Sequence, residues 1–112
     1  MKIAITAEGH HPEALISERF ARCSGIYIYD TEYTRTTWMP NATGQEATQG
    51  AGVRLAATII QQKVKVLVTG QCGPKAQEIL ENANVQIVYL QNMNRSEALK
   101  QILSMVAEGV LV

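Results

Sequence analysis

The sequence has few of the residues that commonly mark a disulfide scaffold, a metal finger or an acidic catalytic centre. Its 112 residues include two cysteines, one tryptophan and a single aspartate, Asp30. Cys23 and Cys72 form neither a CxxC motif nor a zinc-finger spacing, so we interpret both as free thiols. A two-metal nuclease needs several clustered carboxylates to hold hard cations. One aspartate, with Glu8 and Glu46 near the expected site, therefore disfavours that activity.

The chain also lacks an excess of charge of either sign and any long apolar run. Ten lysines and arginines balance ten acidic residues, so we expect no general attraction to nucleic acid or to a membrane surface. No apolar segment approaches the roughly 20 residues that span a bilayer. A strand pattern beginning at Lys2 leaves no room for a signal peptide, and we expect a cytoplasmic protein. An anionic ligand would have to be held by a local arrangement of donors.

The hydrophobic pattern predicts a single α/β domain over residues 1–112. Apolar residues at i, i+3, i+4 and i+7 predict helices around Val53–Ile60, Ala76–Ala83 and Leu99–Val106. Val64–Thr69 and Val85–Leu90 are continuous apolar runs, which are typical of strands buried on both faces. The remaining predicted elements are strands at 2–7, 25–30 and 34–39 and a short helical turn within 13–22.

The order of these elements predicts a mixed five-stranded sheet with strand order 3-2-1-4-5. The first three strands form a meander, and the later strands alternate with helices, which gives right-handed parallel crossovers. Strands 1 and 4 should be adjacent and parallel. Segments 8–24, 40–52, 70–74 and 91–94 then meet at the carboxyl edge of the parallel strands, where open α/β sheets bind ligands.

Several residues able to bind a ligand collect at this edge. Glycine-rich turns lead into two helices, whose free N–H groups and dipoles favour an anion. Each residue alone also has an ordinary structural explanation as a turn glycine, a buried thiol, a loop histidine or a solvated cation. Their convergence on one edge favours a binding site. The residues are His10, His11, Arg19, Arg22, Cys23, Gly50, Gly52, Gly70, Cys72, Gly73 and Lys75.

The chain resembles the dinitrogenase iron-molybdenum cofactor-binding family, which includes nitrogenase cofactor carriers. The resemblance extends along nearly the whole chain. Ser17–Arg22 followed by Cys23 is similar to the family's S-x-R-F-G-R-A stretch, with Ala21 in place of glycine and Cys23 in place of alanine. Cys72 stands where the family commonly has an aliphatic residue. The other matching segments are Met1–Thr6, Ile26–Asp30, Gly50–Gly52 and Thr69–Ala76.

This resemblance implies a ribonuclease H-like fold and non-catalytic carriage or assembly of a molybdenum-containing metal-sulfur cluster. The similarity is greatest to the family's orange-protein group, which implies a mixed molybdenum-copper sulfide. The partners implied are the anionic cluster itself and a protein that donates or accepts it. N–H donors, cations and an apolar cradle from Phe20 or Trp38 would suit such a polyanion. If copper is exposed, Cys72 and His11 are the candidate soft ligands.

The expected cofactor-binding set comprises the residues of the carboxyl edge other than Cys23. They are His10, His11, Arg19, Arg22, Gly50, Gly52, Gly70, Cys72, Gly73 and Lys75.

Two alternatives stay open from the residues alone. A thiol-dependent enzyme would use Cys72, its pKa lowered by a helix N-terminus, with His10 or His11 as base. The chain offers no obvious third group to orient that base. A protein-interaction module without a cofactor is the other alternative.

Overall fold

The computed structural model describes residues 1–41 and 50–111. Its strands are β1 (Lys2–Ala7), β2 (Gly25–Asp30), β3 (Arg35–Pro40), β4 (Val64–Thr69) and β5 (Gln86–Tyr89). Its helices are α1 (Ala51–Gln61), α2 (Pro74–Asn82) and α3 (Arg95–Ala107), and a single 3₁₀ turn covers Phe20–Arg22.

All five strands form one mixed sheet in the order β3-β2-β1-β4-β5. β1 pairs antiparallel with β2 and parallel with β4, while β2–β3 is antiparallel and β4–β5 is parallel. The predicted strand order and the adjacency of strands 1 and 4 are therefore confirmed. Asp30 faces Lys2 at the amino end of β1, which places the single aspartate at the edge opposite the glycine turns.

Two hydrophobic layers lie on the two faces of this sheet. Alternate residues of β1 feed them: Ala4 packs with α1 and α2, whereas Ile3 and Ile5 pack with α3. Because β1 and β4 are covered on both sides, their central residues are almost entirely apolar. No helix in the described part of the chain is both long and apolar enough to cross a bilayer.

The local signals for helix starts hold in the structure. Pro74 occupies the first turn of α2, where its missing N–H costs no hydrogen bond. Asn94 caps α3 through a bond from the Glu97 backbone N–H (2.8 Å), and the Glu97 carboxylate accepts from the Asn94 N–H (3.1 Å). The helical turn predicted within 13–22 is limited to Phe20–Arg22.

The prediction that Val85–Leu90 forms a strand buried on both faces is wrong. β5 is shorter, its residues Gln86–Val88 are partly exposed, and Tyr89 is 45 % exposed. The reason is position, because β5 lies at an edge of the sheet and has a strand neighbour on one side only. The apolar run at Val85–Leu90 therefore predicted the strand correctly, but the burial expected from it was too high.

A close backbone crossing ties the segment after β1 to the end of β4. Ser17 N–H donates to the Thr6 carbonyl (2.8 Å), and Gly70 N–H donates to the Ser17 carbonyl (2.9 Å). A Cβ at position 70 would lie 2.5 Å from the Glu18 carbonyl oxygen. Only glycine fits beneath this crossing, so Gly70 has a structural role.

We predict that Gly70→Ala destabilises the protein by about 1–3 kcal/mol, because the new methyl must displace backbone atoms. Gly73→Ala is the matched control, since a Cβ there meets no atom within 4 Å. The control should change the free energy of unfolding by less than about 1 kcal/mol. Denaturant unfolding of both variants measures the difference, and equal stabilities would contradict the assignment of Gly70.

Candidate functional site

The carboxyl edge of the sheet is divided into separate surfaces rather than forming one site. β1, β4 and β5 end there, β3 ends beside them, and β2 begins there. Both histidines and both cysteines lie in the connections at this edge, as predicted. The sheet itself, together with the crossing segment 17–22, separates them into distinct cavities.

The largest of these cavities is a groove of about 1230 Å³ between the starts of α1 and α2, which we call the glycine groove. Its floor includes the fully buried Phe20 ring and Ala21. Ala21 is the residue that replaces glycine in the family pattern described above. Both helices direct their first turns at this groove. Its lining residues are Phe20, Ala21, Gly50, Gly52, Val53, Arg54, Gly73, Pro74, Lys75 and Ala76.

Both helix N-termini at the groove lack a side-chain cap. Gly50 precedes α1 with φ 73°, and Gly73 precedes α2, and neither can supply a capping oxygen. The first turns of α1 and α2 contain no acidic residue. α3 differs, because Asn94 and Glu97 form a full capping box there. The first-turn N–H groups at the groove therefore have no side-chain acceptor from their own caps.

The charges at these two N-termini are the reverse of what a helix dipole favours. Arg54 lies in the first turns of α1 and Lys75 in the first turn of α2, and both line the groove. The Arg54 Nε donates to the Gly50 carbonyl at 3.4 Å. A cation near a helix N-terminus costs about 0.3–1 kcal/mol relative to an acid. A bound anion would offset this cost at both helices.

Arg19 and Arg22 line a neighbouring cavity of about 280 Å³. Glu8 and Glu18 also line this cavity, so its two positive charges are matched by two negative ones. The three-residue repeat of the 3₁₀ turn explains the division, because Arg19 and Arg22 are three residues apart and share one side, whereas Phe20 and Ala21 line the glycine groove. The arginines are adjacent to the groove rather than within it.

His10 and His11 lie in a third cavity, on the face of the sheet covered by α3. They share it with Trp38 and Arg95. The His10 and Trp38 ring centroids are 5.6 Å apart. His11 is exposed, and its Nδ1 lies 3.9 Å from a Glu13 carboxylate oxygen. Neither histidine lines the glycine groove, and the Trp38 indole does not contribute to its apolar surface.

Cys23 is buried and Cys72 is half-buried, and both thiols are protonated at neutral pH. Burial, and to a smaller extent the Glu81 carboxylate, raises the pKa of Cys72 from 9.0 to about 11. Burial raises the pKa of Cys23 to about 12, although an Asn41 hydrogen bond opposes this shift. The prediction that a helix N-terminus lowers the pKa of Cys72 is wrong, because the thiol packs against the hydrophobic core. A thiol-dependent enzyme loses its main support.

The described residues contain no group of three or more His, Cys, Asp and Glu side chains able to hold a metal ion. Of the predicted loop 40–52, residues 42–49, including Glu46, lie outside the described residues. Among the expected site residues, the structure brings together Gly50, Gly52, Gly73 and Lys75. It places the two arginines beside them and buries Gly70 beneath the crossing.

Three residues at this edge were missed by the sequence analysis. Arg54 lies near the start of a helix whose first turn has no acidic residue. This reversed charge pattern is visible in the sequence and could have identified Arg54 as a candidate. Arg95 similarly follows an N-cap, at the first position of α3. Asn41 donates to the Ala21 and Cys23 carbonyls at 3.3 and 3.1 Å. Only the tertiary structure reveals that last role.

Comparison with known proteins identifies the family. The chain matches the family described as dinitrogenase iron-molybdenum cofactor over residues 1–105, and it belongs to that family. The family's description names a molybdenum-containing cofactor, which points to cofactor binding or carriage. Among curated proteins, none matches the chain significantly.

Two solved structures share the fold along most of their length. The apo form of the orange protein from Desulfovibrio gigas is 30% identical, with a TM-score of 0.85 over 92% of this chain and 87% of that one. The NMR structure of a Thermotoga protein that belongs to the DUF35 family, and that has been suggested to be a NifB protein, is 25% identical. Its TM-score is 0.80 over 92% of this chain and 87% of that one.

We predict that alkylation of Cys72 remains slow at neutral pH and accelerates steadily as the pH rises toward 10. The thiolate is the nucleophile, and a pKa raised to about 11 means that its fraction keeps increasing over this whole interval. Iodoacetamide kinetics on a Cys23→Ser variant isolate the Cys72 thiol. A rate that levels off near pH 8 would show an ordinary or lowered pKa instead.

Proposed function

We propose that this chain binds and carries an anionic, molybdenum-containing metal-sulfur cluster in the glycine groove. One observation carries the proposal: two helices with glycine caps and no acid in their first turns begin at the same groove, and Arg54 and Lys75 lie there. Oriented N–H groups and two cations suit an anion in a protein whose net charge is zero. Family membership supplies the class of cargo.

The chemistry of the donors in the groove fits a cluster that already carries its own sulfide ligands. Such a polyanion needs hydrogen-bond donors and positive charge around its surface more than it needs new metal ligands. Val53, which is 39 % exposed, adds an apolar wall above the floor that Phe20 supports. The backbone N–H groups after Gly50 and Gly73 are fixed by the helices, so their orientation costs no entropy on binding.

A mixed molybdenum-copper sulfide is the specific cargo we propose, in keeping with the similarity to the orange protein. Copper favours soft ligands, and Cys72 and His11 are the candidates we consider at this edge. They lie on opposite faces of the sheet, so the two residues do not form one ligand pair. The raised pKa of Cys72 favours an electrostatic cradle over thiolate ligation.

A carrier must also release its cargo to another protein. The glycine groove is open to solvent along one side of α1 and α2, and Gly50, Gly73 and Lys75 at its rim are exposed. A donor or acceptor protein could therefore reach the cluster without unfolding the groove. We propose carriage or assembly rather than catalysis, with a protein partner and no nucleic acid.

Titration of the apo protein with tetrathiomolybdate, with and without copper and under anaerobic conditions, tests the site. We expect amide NMR shifts concentrated at Gly50–Val53 and Gly73–Ala76, where the helix N–H groups face the groove. Cys72→Ser should bind nearly as well as the unchanged protein and as Cys23→Ser. A large loss in Cys72→Ser alone would establish thiolate ligation in place of the cradle. Shifts confined to Thr31–Tyr33 and Gln62–Lys63 would overturn the proposal.

We predict that Lys75→Met weakens tetrathiomolybdate binding by about two- to fivefold, as expected for losing roughly 0.3–1 kcal/mol of partly screened attraction. Lys100→Met is the matched control, because Lys100 is also an exposed helical lysine but lies on α3, across the sheet. Affinities measured by absorbance titration at low salt separate the two. Equal losses would mean that only net charge matters and that the groove does not.

A further inference from the structure

Trp38 lines a cavity that we call the tryptophan cavity, and a buried arginine, Arg95, lines the same cavity. The Arg95 side chain is only 7 % exposed, and its guanidinium carbon lies 3.7 Å from the centroid of the Tyr27 ring. Its Nε has no hydrogen-bond partner among the described residues. The Tyr27 ring is a cation–π partner of the guanidinium, but it accepts no conventional hydrogen bond, and a buried donor such as the Arg95 Nε normally has an acceptor.

No acidic side chain lines the tryptophan cavity in the described part of the chain. Two carboxylates lie close by in sequence, and the structure places each of them beside a group other than Arg95. A Glu13 oxygen lies 3.9 Å from Nδ1 of His11, and the Glu97 carboxylate accepts from the Asn94 N–H. The guanidinium therefore lies over the Tyr27 ring, and the hydroxyl-bearing residues Thr36 and Thr37 line the same cavity.

The N-terminus of α3 does not account for this site. Arg95 N–H donates to the Ala14 carbonyl (2.8 Å), and Ser96 N–H donates to the Pro12 carbonyl (3.1 Å). The capping box occupies the Glu97 N–H as well. With these N–H groups already bonded, the unsatisfied donor of the cavity belongs to the Arg95 side chain.

The walls of the tryptophan cavity are suited to a flat ring. The Trp38 indole lies directly over Gly25, where any Cβ would collide with its six-membered ring. This contact fixes one face of the indole against the sheet. The exposed His10 ring lies 5.6 Å away and is tilted by 41°. The cavity has a volume of about 490 Å³, which exceeds the space that a single small inorganic anion fills.

We propose that the tryptophan cavity is a second ligand site, which takes a small organic anion with a planar ring next to a carboxylate or phosphate group. The Arg95 guanidinium offers its planar fork of donors to the anionic group, an arrangement that suits two acceptor oxygens. Trp38 and His10 contact the ring by stacking. This site lies across the sheet from the glycine groove, and the proposal does not depend on whether the protein carries a cluster.

The fluorescence of Trp38 reports directly on this cavity, because the chain contains no other tryptophan. Benzoate and adenosine monophosphate are the probes that combine a ring with a carboxylate or a phosphate. Inorganic phosphate and adenosine supply the anion and the ring separately. We expect a saturable change in fluorescence with one or both combined probes, and affinities weaker by about tenfold or more for the separate parts.

Two substitutions test the role of Arg95. Arg95→Lys keeps the charge and most of the buried stem but loses the fork, and it should weaken binding of the combined probes by about tenfold. Arg95→Met removes the charge as well and should weaken it further. Lys100→Met makes the same charge change on the same helix and should leave the titration unaltered. Circular dichroism and thermal unfolding identify any variant that does not fold.

NMR mapping on the unchanged protein keeps the proposal testable even if the Arg95 variants fail to fold. Combined probes should shift amides of Trp38, Arg95 and loop 8–12. No saturable response to either combined probe at millimolar concentration would overturn the proposal, as would shifts confined to the glycine groove. Equal affinity for inorganic phosphate would overturn the role of the ring. A protein that binds these probes but not tetrathiomolybdate would leave this inference intact.

Discussion

The arrangement of the carboxyl edge depends on one backbone crossing, that of Ser17 and Glu18 over Gly70. Three consecutive bonds fix it: Ser17 to Thr6, Gly70 to Ser17, and Phe20 N–H to the Gln71 carbonyl at 2.8 Å. A buried bond between the Thr6 and Thr69 hydroxyls, also 2.8 Å long, ties β1 to β4 directly beneath it. The crossing brings the Phe20–Arg22 turn against the starts of α1 and α2. Without it, the glycine groove would lose its floor.

Cations at helix N-termini recur on both faces of the sheet. Arg54, Lys75 and Arg95 each lie where the helix dipole favours an acid. The surroundings of the three differ in an instructive way. The first two accompany uncapped helix ends at an open groove, whereas Arg95 is buried beside a helix end that is fully capped. In the two sites that we propose, positive charge placed against the dipole acts with helix N–H groups at the glycine groove and without them in the tryptophan cavity.

Burial determines the chemistry of the two thiols. The chain departs from the family pattern by having cysteine at positions 23 and 72. Both sulfur atoms pack against the hydrophobic core between the sheet and α1 and α2. Low polarity favours the neutral thiol and raises the pKa of both cysteines. An apolar thiol serves packing well and is a poor nucleophile, which agrees with a binding protein whose polar contacts come from the backbone.

The sequence by itself determined the fold, because periodicity, turn glycines and the order of strands and helices leave few ways to build a mixed sheet. It also indicated at which edge the candidate site residues collect, since connections that follow parallel strands must emerge together. It could not show that this edge is split. His10 and Gly73 follow strands at the same edge, yet the sheet and the crossing segment place them in different cavities. The burial of Arg95 and of the thiols also depended on tertiary packing. Side-chain surroundings arise from contacts between residues distant in sequence, and these contacts leave no periodic signal along the chain.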